Sequence, residues 1–183
     1  MKPLKVCSII LGTIFFLSCS QSLDFDQIDA YTISPSIAAP LVFFTIDASN
    51  FTTTVAGAPI VTELTEISDF KLFENGFIKQ NVVQLDFEFE VNNEFNRDIT
   101  TEISLLDENN NLIYRFKDLE IDKNNLDFKQ KEVINVVTNQ NIKNFTKLKL
   151  TLSLDDKNTP IAASDLSKIQ FKSAIIIHLE ADL

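Results

Sequence analysis

The chain has 183 residues, 45% of them hydrophobic, with 16 Lys and Arg against 26 Asp and Glu and a formal charge of −10. That length and apolar share suit one folded domain with its own core. The acidic balance disfavours nucleic acid and anionic headgroups as partners, and one His with two Cys excludes multi-His and Cys-rich metal centres.

Met1-Lys2-Pro3-Leu4-Lys5 carries two cations and no acid. An apolar run over residues 9–17 follows, interrupted only by Gly12 and Thr13, and then come Ser18, Cys19 and Ser20. A cationic start, a short apolar middle and small residues at the exit form the export-signal pattern. The run is about half of the roughly 20 residues that a permanent membrane helix needs. Residues 1–18 therefore read as a signal segment.

Phe16-Leu17-Ser18-Cys19 resembles a lipobox, the cleavage signal of bacterial lipoproteins. Ser18 fits the pattern. Phe16 stands where Leu is usual and Leu17 where a small residue is usual, departures that the looser lipoboxes of Bacteroidetes lipoproteins tolerate. The resemblance covers four residues and the segment before them, so it concerns processing. It implies a diacylglycerol thioether on Cys19 and hence a membrane anchor. Two or more acyl chains hold a protein firmly where one does not. Ser20 after the Cys implies, by similarity to enterobacterial sorting, the bacterial outer membrane. Asp24, Asp26 and Asp29 resemble a surface-export signal, with a solvated acidic linker as the alternative, and the periplasmic or surface-exposed face stays open. Cleavage after Ser20 would instead give a soluble secreted protein. In type the chain resembles small envelope lipoproteins of Bacteroidetes.

Removing residues 1–18 takes away Lys2, Lys5 and Cys7, so 16 cations become 14 against 26 anions and the charge becomes −12. The only cysteine left is Cys19, and no disulfide can form within the domain. Residues 19–38 have little periodicity and read as an acidic, polar tether, leaving residues 39–183 as the domain.

Within the domain, alternation dominates. Residues 41–46 form a buried strand candidate and residues 60–67 a weaker one. Residues 70–73 and 77–78 flank Asn75-Gly76, which predicts a tight hairpin turn because Asn-Gly supplies positive φ. Residues 83–91 give the clearest strand: Val83, Leu85, Phe87, Phe89 and Val91 point one way and Gln84, Asp86, Glu88 and Glu90 the other. A strand over 99–105, a polar turn over 107–111, and strands over 112–116 and 133–137 follow. Residues 146–154 alternate as cleanly, with Leu148, Leu150, Leu152 and Leu154 inward and Lys147 and Lys149 outward. Residues 155–160 turn the chain, residues 163–169 read as a short helix capped by Ser164, and residues 171–179 form the last strand. Seven to nine strands with turns between them predict an all-β fold. The expectation is an antiparallel β-sandwich, immunoglobulin-like in architecture, with a barrel as the alternative. The outward acids Asp86, Glu88 and Glu90 and the outward Lys147 and Lys149 suggest that their two strands are neighbours.

Catalytic chemistry finds little support. The domain has only Gly57 and Gly76, too few for a phosphate cradle, and no Gly-x-Ser-x-Gly elbow. A Ser–His–Asp triad would have to use His178, which alternation places with Ile176 on the outer side of the last strand. Asp107-Glu108 and Asp155-Asp156 sit in turns and lack the spacing of a calcium loop. No catalytic, cofactor-binding or metal-ligating residue is nominated, and no cofactor is expected. With no Trp, two Tyr and sixteen Phe that fall largely at apolar strand positions, a glycan platform is disfavoured. The expectation is a non-catalytic binding, adhesion or scaffolding module, held to the membrane through Cys19 and engaging an envelope protein. The alternatives are a small hydrolase using carboxylates alone, and an accessory subunit of an outer-membrane transport or secretion complex.

Overall fold

The structure, a computed structural model, describes residues 31–51, 61–156, 161–162 and 164–182. The signal segment and Cys19 lie outside the described residues. Ile33–Ala181 form one compact unit. Tyr31, Thr32 and Asp182 are the described residues of a second unit, in which Thr32 Oγ1 donates to Asp182 Oδ1 at 2.8 Å.

The strands are β1 (Thr32–Ile33), β2 (Ser36–Asp47), β3 (Glu63–Asp69), β4 (Val82–Asn93), β5 (Ile99–Leu106), β6 (Leu112–Arg115), β7 (Leu119–Ile121), β8 (Phe128–Asn135), β9 (Lys147–Leu154), β10 (Lys168–Leu179) and β11 (Ala181–Asp182). One helix, α1, spans Gly76–Asn81. One sheet has the order β2-β10-β4-β8. The other has β3-β9-β5-β6, with β7 also on β5. The pairings within both sheets are antiparallel. The all-β sandwich is as expected, but the described residues hold eleven strands rather than seven to nine. The additional ones, β1, β7 and β11, are two or three residues long, too short to show a period of two.

The two clean alternations place the core. Leu85, Phe87, Phe89 and Val91 of β4 are at most 1% exposed, as are Leu148, Leu150, Leu152 and Leu154 of β9. Each strand lies inside its sheet, and both sets join one hydrophobic cluster. Phenylalanines link the layers: Phe87 of β4 meets Phe116 edge-on at 4.9 Å between ring centres and Phe145 at 6.2 Å. Tyr114 of β6 donates its hydroxyl to Glu132 of β8, tying one sheet to the other at an edge.

Four local expectations are corrected. Asn75-Gly76 makes no hairpin. A short 3₁₀ turn over Leu72–Glu74 leads into α1, and Asn75 Oδ1 accepts from Phe77 N at 3.0 Å and Ile78 N at 3.3 Å. Asn is a strong N-cap because it satisfies donors that the first helical turn leaves free, and that use displaced the turn. Residues 164–169 form no helix: Asp165 N–H bonds Ala162 O, Asp165 Oδ1 accepts from Ser167 N, and β10 begins at Lys168. The strand expected over 133–137 is shifted back to Phe128–Asn135. It is an edge strand with a polar surface, so its Val133 is 54% exposed and apolar periodicity misplaced it. Finally, β4 and β9 lie in different sheets, so the acids of β4 do not face Lys147 and Lys149. They face Lys129 and Lys131 of β8 and Lys172 of β10, through the registers Glu90↔Lys129, Glu88↔Lys131 and Glu90↔Lys172.

The stretch read as tether also contributes structure: β1 falls within it, and β2 starts at Ser36, with Ile37 packed against the core.

Candidate functional site

The outer face of the four-stranded sheet carries a polar chain with one side chain from each strand. Ser36 of β2 stands beside His178 of β10, their Oγ and Nδ1 3.0 Å apart. His178 Nε2 lies 3.2 Å from Asp86 Oδ2 of β4, and Lys131 Nζ of β8 lies 2.8 Å from the same oxygen. Gln84 Nε2 donates to Asp86 Oδ1 at 2.7 Å. Strand pleating explains the row: His178↔Ser36, His178↔Gln84 and Ile176↔Asp86 are register partners, so outward residues of neighbouring strands line up.

Asp86 is the pivot. Its side chain is only 7% exposed although it projects from the outer face. Burial pushes its carboxyl up, but hydrogen bonds from Lys131 and Gln84, with His178 alongside, outweigh that and hold it below the ordinary Asp value. The same bond raises the Lys131 ammonium above the usual Lys range. His178 Nε2 is enclosed and sits at ion-pair distance from Asp86, but off the line of a hydrogen bond. Lys131 and Gln84 are therefore the bonds that hold the carboxylate.

Ser36, His178 and Asp86 are the residue types of a nucleophilic triad, and the sequence placed the first of them in a tether and Asp86 in a solvating row. The geometry does not make them one. A triad needs a serine aimed into a substrate cleft with oxyanion donors beside it. Here Ser36 is exposed on a sheet face. The hollows beside Asp155, over Phe145 and between Glu88 and Lys131 are lined by none of Ser36, His178 and Asp86. Lys131 also neutralises the carboxylate that would have to support an imidazolium. What the chain of side chains does is cross-link four strands.

The acidic turns behave similarly. Asp107 accepts from Asn109 N at 2.9 Å, Asn111 N at 2.8 Å and Asn111 Nδ2 at 2.9 Å. The bonds from Asn111 lead in holding its carboxyl below the usual range. Lys147 Nζ takes the Glu108 carbonyl at 3.0 Å and Asn110 Oδ1 at 2.7 Å, so an ammonium stands where a cation would be bound. Asp155 and Asp156 line the largest of the three hollows, about 670 Å³, together with Asp98 and Asp165. Asp155 Oδ1 accepts from Thr100 Oγ1 at 2.9 Å and Asp98 Oδ1 from Lys123 N at 2.7 Å. Bonds to Ser167 hold the Asp165 carboxyl low. Asn93, fully buried, shapes this end of the sandwich: its Nδ2 donates to the Arg97 and Asp122 carbonyls and its Oδ1 accepts from Phe95 N. A second hollow of about 470 Å³ lies over Phe70, Phe73 and Phe145, and a third of about 340 Å³ between Glu88, Glu90, Lys129 and Lys131. Among the described residues, no group of three or more His, Cys, Asp or Glu is placed to hold a metal ion.

No protein-family model matches the chain, and no curated protein matches it. Solved structures do. A protein of Parabacteroides distasonis, provisionally described as secreted, is similar over 63% of this chain, with 19% identity and a TM-score of 0.50. A structure of infectious bursal disease virus covers 84% of this chain at 11% identity, but its TM-score of 0.42 carries no argument. The chain spans only 37% of the first structure's length and 33% of the second's. The first likeness supports the β-sandwich fold.

Proposed function

We propose that this is a lipid-anchored β-sandwich of the bacterial outer membrane, a non-catalytic module that binds an envelope protein. One observation carries the reading: a cationic and apolar leader ends in Phe16-Leu17-Ser18-Cys19, ahead of a domain with no other cysteine. Lipid on Cys19 would supply the membrane contact. Among the described residues no helix is long and apolar enough to cross a membrane, so none of them supplies an anchor of that kind. The Parabacteroides protein, described as secreted, agrees with the coarser part of the reading, an envelope or extracellular placement.

The domain supports binding rather than turnover. The Asp86 carboxylate and the β5–β6 turn are engaged internally, by Lys131 and by Lys147. A carboxylate hydrolase needs a protonated acid beside an ionised one. In the hollow of about 670 Å³, Asp165 is held in its ionised form, and Asp98 and Asp155 serve as structural acceptors. The test is affinity capture of the tagged full chain from detergent-solubilised envelopes. The reading predicts a stoichiometric envelope protein in the eluate. Recovery of this chain alone would refute the partner-binding role.

A further inference from the structure

We propose that β2 is a self-association edge, at which two copies of this chain pair antiparallel about a two-fold axis centred on Phe43. Strand β2 is an edge of the four-stranded sheet and twelve residues long. Exposed edges are normally guarded by charge, because their free N–H and C=O groups recruit other strands. From Ser36 to Ile46, β2 carries no charged residue at all. The other described long edges differ. Strand β3 has Glu63, Glu66 and Asp69, and β8 has Lys129, Lys131 and Glu132, the kind of charge that guards an edge. Among the described long edges, β2 alone offers an uncharged run.

The available ladder is bounded on both sides. Pro40 has no N–H to offer, and a bulge interrupts the β2–β10 register there. At the other end, Asp47 N is already donated to Asn50 Oδ1 at 3.0 Å. Val42 N turns inward to Ser173 Oγ at 3.1 Å. By alternation the amides of Phe43 and Thr45 point away from the sheet. The free run is therefore residues 41–45, and its middle residue is Phe43. A two-fold at that point lets the two Phe43 residues exchange both backbone hydrogen bonds. It also sets their rings, each 67% exposed in one copy, against each other. Phenylalanine pairs across strands are favourable contacts. Val42 of each copy falls opposite Phe44 of the other on the inner face, so both cores continue across the junction.

Cysteine cross-linking in cells producing the full chain tests this. Under mild oxidation Phe43→Cys should yield a covalent dimer well above the wild-type background, and Val133→Cys on the opposite edge should not. Phe43→Lys, at an exposed position, should leave the circular dichroism spectrum unchanged. It should raise the dimer dissociation constant of the detergent-purified full chain by about tenfold or more, since like charges then face each other. Cross-linking at neither position, equal cross-linking at both, or a dimer indifferent to Phe43→Lys would overturn the proposal.

Discussion

Asp86 shows how an outward residue in a sheet can be structural. It occupies the polar phase of an alternating strand, yet its carboxylate is nearly covered and takes a 2.8 Å contact from Lys131 and a 2.7 Å bond from Gln84. Replacing it with Ala leaves Gln84 and Lys131 without their shared partner, and Asp86→Ala should cost about 2 kcal/mol in urea unfolding at neutral pH. The pH dependence has a definite sign. Because the folded carboxyl sits below its unfolded value of 3.8, its contribution is complete above that value and is lost as pH falls through the lower, folded one. The stability gap between wild type and Asp86→Ala should therefore shrink as pH falls below about 3.8. Tyr114 has the mirror-image behaviour: burial first, then its bond to Glu132, push its hydroxyl up to about 12. Its contribution holds below the ordinary tyrosine value of 10 and fades as pH rises towards about 12.

At the scale of elements, period-two patterning located β4, β9 and β10 because each is a central strand with one apolar and one polar face. The same signal failed at β8, whose edge position exposes Val133 and lets Glu132 and Gln130 sit half-buried. It failed again at Asn75-Gly76, where one dipeptide suits either a turn or a helix cap, and only the residues that follow decide. Gly76 needs no special conformation, since an added Cβ would meet nothing within 4 Å. Asn75 is the residue that matters. Asn75→Ala removes an acceptor for two backbone donors and should cost about 1 kcal/mol, read as a lowered urea midpoint with an unchanged slope. The polar chain across the outer face was hidden for a related reason. Its members come from four strands far apart in sequence, and strand neighbours cannot be read from charge pattern alone. The acids of β4 found lysines, but on β8 and β10 rather than on β9.

For the whole molecule, the described residues share one aromatic-rich core. Phe87 is fully buried and touches Phe116 and Phe145, which belong to segments outside its own sheet. Phe87→Ala should cost about 3–5 kcal/mol, enough to unfold a domain of ordinary stability at 37 °C; thermal melting followed by circular dichroism would show it. The sandwich was legible because both inner faces repeat apolar residues every second position. The site was not, because the charged groups that looked available in sequence are engaged with one another in the fold. The central claim is the anchor on Cys19, and metabolic labelling of producing cells with palmitate tests it most directly. The account predicts label on the wild-type chain in the membrane fraction and none on Cys19→Ala. Label persisting on Cys19→Ala, or absent from wild type, would contradict it.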